Sequence, residues 1–247
     1  MLADITKERT TIPPLTAEGE VAVLARALFR EGYDDHNLGH VTVRQEDETF
    51  LTLPFHLGWE EVRRSDVIRI DIEGNVISGD GAVTPGIMLH LALHRARPDT
   101  GVAVHHHPRY GTVYAMARRV PSAYDQTSAM VYDSDIALYD DFPGAVSAEE
   151  IAARNIEAIG NRNLALLANH GVMVLAEDIR QAFCRAVILE WRCRQAWMVE
   201  AVGGGVPMPA DGNDAIVKLI RGFDERQPYQ WEWAVRRELR HDPCVLQ

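Results

Sequence analysis

The chain has 247 residues, of which 47% are hydrophobic, and it carries a formal net charge of −11 at pH 7. This length fits one domain, and the acidic balance argues against nucleic acids and anionic membranes as partners, because basic surfaces bind both. Three cysteines without a spaced framework, no signal-peptide pattern and no apolar run of membrane-spanning length favour a soluble cytoplasmic protein.

The first half of the chain is predicted to contain a helix followed by short strands. Thr16 is expected to cap that helix, in which apolar residues recur at helical spacing. The third strand ends at Glu73-Gly74-Asn75, a hairpin-like turn. The three β-rich runs are Val41–Val43, Thr49–Leu53 and Val67–Ile72.

The second half is predicted to contain longer helices. Trp191 and Trp197, on the longest one, are expected to pack in the core or in an interface. Glycines 203–205 end that helix, and Pro207 and Pro209 mark a linker. The helices are predicted over Ile87–Ala96, from Pro108 through Arg118, from a capping box at Ser147 to about Ile159, and from Asp178 to about Val202.

Mixed strands and helices, with more hairpin signals than βαβ units, predict a central, mostly antiparallel sheet with helices on its faces. The predicted organisation is an N-terminal arm over 1–15, a main domain over 16–205 and a helical tail over 206–247.

Three consecutive histidines follow the apolar run that begins at Val102, a pattern typical of a buried strand closed by Pro108. Side chains alternate across a strand, so His105 and His107 should share one face while His106 points to the other and is structural. Two imidazoles on one face can bind a single divalent ion.

A further histidine, His170, lies in a polar turn, Asn169-His170-Gly171, between two apolar strands. Gly171 is expected to supply the positive φ of that turn. His170 makes a plausible third ligand. Three protein ligands with an open position are typical of a catalytic metal site rather than a structural one.

The ordered set of short motifs resembles the class II aldolase/adducin family. It covers roughly residues 16–205, and the tail around Trp231 is closer to the adducin-like branch than to sugar-phosphate aldolases. The matching segments are Asn37–Arg44, Pro54–Gly58, Ser65–Asp71, Gly86–His90, Arg97–Asp99, Val104–His107 and Leu167–Gly171.

The resemblance implies a three-layer α/β/α sandwich around a nine-stranded, largely antiparallel sheet, and a homotetramer with sites near its interfaces. It also implies that His105, His107 and His170 bind a divalent metal. Zinc is the first expectation, with iron(II) or manganese as alternatives.

Position 86 departs from the family's aldolases, which carry an acidic residue four positions before the histidine that here is His90. Gly86 stands in that place and cannot abstract a proton. In the region of the phosphate cradle Thr84 keeps one hydroxyl, but Pro85 has no backbone donor. A phosphorylated sugar is therefore a poor candidate substrate.

Further site residues are proposed on the same resemblance. His90 is expected to orient a ligand or shuttle a proton, although a buried structural role is an equal alternative, and Gln126 to donate a hydrogen bond. These two are the catalytic candidates. His40, which replaces the asparagine of phosphate-binding members, Thr84 and Tyr124 are the substrate-binding candidates.

Three functions remain open from the sequence. The first is a metal-dependent lyase that performs aldol cleavage or decarboxylation on a small, non-phosphorylated oxo- or hydroxy-acid. The second is a non-haem iron oxygenase with three histidine ligands on the same scaffold. The third is a non-catalytic adducin-like interaction module, which would be expected to lose the metal ligands.

Overall fold

The computed structural model describes residues 11–131, 133–140, 148–208 and 227–247. Most of the predicted arm, the predicted cap Ser147 and Pro209 of the predicted linker lie outside the described residues. The helices are α1 Ala17–Arg30, α2 Ile87–Ala96, α3 Arg109–Met116, α4 Ala148–Ile159, α5 Ile179–Ala201 and α6 Gln227–His241. The strands are β1 His40–Arg44, β2 Phe50–Thr52, β3 Ile68–Ile70, β4 Val76–Ser78, β5 Val102–His106, β6 Ile136–Tyr139, β7 Leu164–Leu167 and β8 Gly171–Ala176.

The eight described strands form one sheet in the order β4-β3-β2-β1-β5-β8-β7-β6. Every neighbouring pair is antiparallel except β6 and β7, which run parallel. This confirms the predicted mostly antiparallel sheet, with eight strands in the described part of the chain where the resemblance implied nine.

Helices cover both faces of the sheet, as predicted. Val102 and Val104 of β5 pack into the larger core with α1 and α5, whereas Ala103 between them packs into a second core with α2 and α4. The strand's two-residue period therefore divides its side chains between two layers of helices. The result is the three-layer α/β/α sandwich.

Helix boundaries follow the predicted caps closely. Thr16 accepts a hydrogen bond from the backbone N–H of Gly19 at 3.2 Å, and Asp178 accepts one from Gln181 at 2.8 Å. The predicted helix over Ile87–Ala96 has the same bounds in the structure. No helix within the described ranges combines the length and the apolar character needed to cross a bilayer.

The tail contains α6, which packs against α1 and α5. Trp231 is buried, and its ring centroid lies 5.8 Å from that of Phe183. On the same helix Glu238 accepts a hydrogen bond from Arg30 at 2.7 Å. The segment that follows the predicted linker is therefore joined to the main core by both apolar and charged contacts.

The turn between β7 and β8 is made differently from the prediction. The residue with positive φ is Asn169, at 55°, and not Gly171, so that expectation was wrong. Glycine is required at 171 by space, because a Cβ there would lie 2.5 Å from both the His106 carbonyl oxygen and His107 Cδ2. Asparagine tolerates left-handed backbone better than most residues.

The tryptophans of α5 are not core residues of the single chain. Trp191 and Trp197 are 40% and 44% exposed, and Trp191 Nε1 donates to the Asp125 carboxylate at 3.2 Å. The core alternative was therefore wrong, and interface packing stays a prediction.

A row of buried polar side chains lies between α2 and β1. Thr42 Oγ1 lies 2.8 Å from His94 Nε2, and His94 Nδ1 lies 3.1 Å from the Thr100 carbonyl oxygen. Burial lowers the pKa of His94 to about 4. At neutral pH its imidazole is therefore uncharged and fully hydrogen-bonded.

This depressed pKa predicts a loss of stability in mild acid. The unfolded chain takes up a proton at His94 below about pH 6.5, while the folded chain does not until about pH 4. The contribution of His94 to the free energy of unfolding is complete above pH 6.5. It falls by on the order of 3 kcal/mol as the pH is lowered from 6.5 to about 4. The measurement is the free energy of unfolding by urea across pH 7.5 to 4.

The variant His94→Gln isolates this contribution, because other buried groups also titrate. We expect its unfolding free energy to depend less steeply on pH than that of the wild type. His56→Gln, at an exposed histidine, is the matched control and should keep the wild-type slope. Equal slopes for the wild type and His94→Gln would contradict the prediction.

Candidate metal centre

The antiparallel sheet brings several strand ends to one place. β1 and β8 begin where β5 and β7 end, and His40 of β1 pairs directly with His105 of β5. The turn that carries His170 lies at the same end, between β7 and β8. Residues distant in the sequence therefore meet at this end of the sheet.

The imidazole of His105 is held by the neighbouring strand. Its Nδ1 lies 2.8 Å from the Val172 carbonyl oxygen. A carbonyl can only accept, so Nδ1 carries the proton and Nε2 carries the lone pair. Burial, and secondarily the neighbouring histidines, holds the pKa of His105 well below its usual value.

The imidazole of His107 is held by Asp35. Its Nδ1 lies 2.8 Å from Asp35 Oδ2, which fixes the proton on Nδ1. A hydrogen bond from His36 is the main cause that lowers the pKa of Asp35; burial opposes it, and the hydrogen bond from His107 lowers the pKa further. Nε2 of His107 is buried and has no hydrogen-bond partner among the described residues. An unsatisfied buried nitrogen of this kind is what a metal ligand looks like without its ion.

His170 completes the cluster from the β7–β8 turn. The ring centroids of His105, His107 and His170 are 4.6 to 5.1 Å apart, and one ligand atom from each lies within 4.8 Å of the others. Burial lowers the pKa of His170 to about 4, with a further contribution from His107. The three imidazoles could hold a zinc or iron(II) ion, because both bind neutral imidazole nitrogen.

His106 points away from the cluster, as predicted. Its ring packs against Trp59 and Tyr33, with centroids 4.5 and 5.9 Å away. Its Nδ1 accepts a hydrogen bond from the His107 backbone N–H at 2.8 Å. Burial lowers its pKa to about 3. Its contacts are those of a core residue.

Beside the cluster lie His40 and His90. Their rings approach through His40 Nδ1 and His90 Nε2, 2.9 Å apart, and the centroid of His40 lies 4.8 Å from that of His105. His90 Nδ1 lies 3.1 Å from Thr42 Oγ1. The predicted site residues His40 and His90 are thus brought to the three metal candidates.

Three residues of this arrangement were missed by the sequence analysis: Asp35, Thr42 and His94. Thr42 follows His40 by two positions on a strand, and His94 follows His90 by one helical turn, so both spacings carried a signal. Asp35 lies in a loop, and no periodicity marks it.

A cavity of about 480 Å³ opens onto the cluster. His40, Thr84, Gly86, His105, His107 and His170 contribute to its wall, and no arginine or lysine of the described ranges does. The other described residues of the wall are apolar. It consists of Leu38, Phe55, Pro85, Met88, Leu89 and Ile151.

Gly86 lies against His40. Its φ of −71° is open to any residue, but a Cβ there would lie 2.6 Å from His40 Nε2. The His40 imidazole thus approaches the space that a side chain at position 86 would enter. Thr84 and Gly86 lie at the start of α2, where the Gly86 N–H donates to Thr84 Oγ1 at 3.4 Å.

Tyr124 and Gln126 do not line this cavity in the single chain. Tyr124 lies beside the glycines that follow α5, with its ring 3.5 Å from the Cβ position of Gly205. Gln126 is exposed. The structure therefore does not bring these two predicted site residues to the histidines of the same chain.

Comparison with curated proteins gives relatives with several functions. The chain is 28% identical over 196 residues to a 4-hydroxy-3-prenylphenylpyruvate oxygenase/4-hydroxy-3-prenylbenzoate synthase from Streptomyces roseochromogenus subsp. oscitans, which covers 77% of this chain and 70% of that protein. It is also 28% identical over 196 residues to decarboxylase NovR from Streptomyces niveus, covering 77% and 72%. Alpha-adducin from Rattus norvegicus is 34% identical over 92 residues, covering 34% of this chain and 12% of adducin.

Solved structures share the fold. An L-fuculose 1-phosphate aldolase from Glaciozyma antarctica PI12 superposes with a TM-score of 0.77 at 24% identity, over 96% of this chain and 98% of that one. An aldolase II superfamily protein from Pseudomonas syringae gives 0.81 at 20% identity, over 97% and 99%. The model of the class II aldolase and adducin N-terminal domain matches residues 19–197. Because this match spans most of the sequence, the chain belongs to the class II aldolase and adducin family.

Proposed function

We propose that this chain is a metal-dependent carbon–carbon lyase that cleaves a small, non-phosphorylated oxo- or hydroxy-acid by decarboxylation or aldol cleavage. The observation that carries the proposal is the cluster of three imidazole ligands, two of them held by Nδ1–H hydrogen bonds, beside a largely apolar cavity to which no described arginine or lysine contributes.

His105, His107 and His170 would hold the ion, with zinc as the first choice and iron(II) or manganese as alternatives. Val172 and Asp35 orient two of the rings and raise their basicity through the proton on Nδ1. When bound, a divalent ion there supplies a Lewis acid for substrate oxygen atoms.

The cavity wall supports the substrate class. Phosphate groups are bound by arginine, lysine or clustered backbone N–H groups. The described part of this wall offers no arginine or lysine, and it has a proline at position 85. The apolar residues suit a hydrocarbon portion of the substrate and keep water away from it. An acid with an apolar or aromatic side chain fits this combination.

Decarboxylation suits a site that has glycine at position 86. In an acid with a carbonyl group next to the carbon that bears the carboxylate, the bond between that carbon and the carboxylate breaks, carbon dioxide leaves, the electron pair is taken up as an enolate, and the carbon later takes up a proton. No base is needed to start this reaction, in contrast to proton abstraction by a carboxylate. The relative named as a decarboxylase supports this choice.

An oxygenase is the second candidate. It is favoured by the relative whose name includes an oxygenase activity, and three histidines can hold iron(II) with positions left open. The non-catalytic alternative is disfavoured, because the chain keeps all three imidazoles together with the hydrogen bonds that orient them.

The proposal includes a homo-oligomer, with a tetramer expected from the family, and a cytoplasmic location. α5 presents Trp191, Trp197 and Met198 to solvent in the single chain, each more than a third exposed, which suits burial against a second copy. None of the three cysteines is in a disulfide.

The first prediction concerns metal content. His107→Asn keeps a side-chain N–H that can donate to Asp35 but removes Nε2, so we expect it to abolish binding of one divalent ion per chain. His106→Asn keeps an oxygen that can accept from the His107 N–H and should leave the metal content nearly unchanged. Elemental analysis of protein purified without chelator measures both.

Asp35→Ala and Asp34→Ala provide a second matched pair. Loss of the Asp35 carboxylate should weaken metal affinity by roughly 10- to 100-fold, as for other groups that accept a hydrogen bond from a metal-binding histidine. Asp34 pairs with Arg109 instead and should have little effect. Equal metal loss from His106→Asn and His107→Asn would refute the assignment of ligands to one strand face.

The next prediction concerns Gly86. Gly86→Ala and Gly86→Glu both add a Cβ 2.6 Å from His40 Nε2, so each should lower the free energy of unfolding by about 1–3 kcal/mol. The double variant His40→Asn/Gly86→Glu should recover part of that loss, because the smaller amide makes room. Urea denaturation measures the three variants beside the wild type.

None of these variants is expected to cleave fuculose or ribulose phosphates, since each keeps Pro85 and adds no arginine or lysine to the described cavity wall. Efficient cleavage by Gly86→Glu would show that the missing acid alone separates this chain from sugar-phosphate aldolases.

The last prediction in this group separates the two enzyme functions. Zinc-loaded and anaerobic iron(II)-loaded protein are incubated with aromatic 2-oxo, 3-oxo and 2-hydroxy acids and with sugar phosphates, and products are followed by mass spectrometry. Turnover of an acid without oxygen is expected and supports the lyase. Turnover only with iron and oxygen would replace it with the oxygenase, and His107→Asn should be inactive in either case.

A further inference from the structure

A continuous buried chain of hydrogen bonds runs from the Thr100 carbonyl to the ring of His40. The Thr100 oxygen lies 3.1 Å from His94 Nδ1, and His94 Nε2 lies 2.8 Å from Thr42 Oγ1. Thr42 Oγ1 lies 3.1 Å from His90 Nδ1, and His90 Nε2 lies 2.9 Å from His40 Nδ1. All five residues are at least 94% buried.

The Thr100 carbonyl, at one end of this series of hydrogen bonds, sets the direction in which protons are donated along it. The Thr100 carbonyl can only accept, so His94 donates through Nδ1–H. Burial lowers the pKa of His94 to about 4, so at neutral pH the ring has one proton and its Nε2 must accept. Only the Thr42 hydroxyl can donate to that nitrogen.

The remaining links then follow one after another. The Thr42 hydroxyl has a single proton, which it gives to His94, so towards His90 its oxygen accepts and His90 Nδ1 donates. His90 Nε2 is left with its lone pair, which accepts from His40 Nδ1–H. The last free position is therefore the lone pair on His40 Nε2.

That lone pair lies where the substrate would enter. His40 lines the cavity, and its Nε2 is the atom closest to the Cβ position of Gly86. No described residue makes a hydrogen bond to it. His40 Nε2 is not needed as a metal ligand, because His105, His107 and His170 already supply three ligand atoms.

We propose that Thr42, His90 and His94 are positioning residues that hold His40 in the Nδ1–H tautomer, so that His40 Nε2 accepts a hydrogen bond from a hydroxyl group of the substrate. This deepens the proposed function and rests on it for the substrate class. It makes His40 a specificity-determining residue, which favours a hydroxy-acid over an analogue that has only acceptor oxygens. A phosphate oxygen would face a lone pair instead of a donor.

The tautomer is tested by nitrogen-15 NMR of metal-free, full-length protein labelled at the histidine rings. Long-range correlations between ring protons and ring nitrogens distinguish the two neutral tautomers without any substrate, metal or turnover. We expect His40, His90 and His94 all to carry the proton on Nδ1. A proton on Nε2 of His40 would overturn the proposal, whatever the activity of the protein.

The positioning role is tested at His90. His90→Phe removes the acceptor for His40 Nδ1–H, so the His40 signals should shift towards a mixture of tautomers. His90→Gln offers an amide oxygen in its place and should restore much of the wild-type pattern. An unchanged His40 tautomer in folded His90→Phe would overturn the positioning role of the buried hydrogen bonds. If that variant does not fold, the wild-type spectrum still decides which tautomer His40 adopts.

The hydroxyl preference is tested by calorimetry on zinc-loaded protein with mandelate and with its O-methyl ether, which cannot donate. An acceptor left unpaired costs about 1–3 kcal/mol, so the wild type should prefer mandelate by about tenfold or more. In His40→Phe the ratio of the two affinities should fall towards the value that the metal ion would give without the hydrogen bond to His40. An unchanged ratio would overturn the hydroxyl-accepting role.

The two proposals can fail separately. If neither acid binds to zinc-loaded protein, the substrate class of the proposed function is wrong and the hydroxyl-accepting role falls with it, while the NMR result for the tautomer stands. If both acids bind and the ratio does not depend on His40, the proposed function survives and the specificity inference is refuted.

Discussion

β5 lies between β1 and β8, and its antiparallel pairing with both strands decides where every histidine of the metal centre is placed. The pairing of His40 with His105 brings β1 to the cluster, and the pairing of His106 with Val172 sets the Val172 carbonyl beside His105 Nδ1. A one-residue slip would exchange the two faces of the strand and bury the ligands in the core. Because Val102 and Val104 pack into one core and Ala103 into the other, the packing of β5 favours the register on which the site depends.

Packing so many imidazoles at one sheet end requires space around them, and glycines provide it. A Cβ at Gly39 would lie 1.8 Å from His106 Cδ2, and one at Gly171 would lie 2.5 Å from the His106 oxygen. Gly86 fits the same pattern, since its missing Cβ makes room for His40. Positions 40 and 86 are therefore coupled: the His40 ring occupies the space that a side chain at position 86 would need.

The sequence predicted those parts of the structure that depend on local pattern. The period of two in β5 separated His106 from its neighbours, and the bounds of α2 followed from its apolar spacing. Tertiary contacts were harder to predict. Nothing local shows that Asp35 reaches His107, or that Tyr124 does not line the cavity of its own chain, because both depend on how loops cross between elements.

The buried hydrogen bonds could not be predicted from the sequence either, although the spacing of two participating residues, Thr42 and His94, gave a signal. Thr42 and His94 are at the strand and helix spacings that place them beside His40 and His90, yet a buried threonine and histidine are common core residues. Only the distances show that they form one directed chain. Spacing can nominate such residues, but the direction of proton donation requires an acceptor whose chemistry is fixed, here the Thr100 carbonyl.

One rule then describes the imidazoles around the cavity. His105 donates through Nδ1 to a backbone carbonyl, His107 to a carboxylate and His40 to another imidazole, so three different partners produce the same tautomer. In each ring the lone pair is left on Nε2. Because burial lowers the pKa of His105 and of His40 well below the usual value, these two rings act as neutral donors of electron pairs rather than as cations. That property suits a metal ion and a hydroxyl proton, and it gives an anionic phosphate nothing to bind.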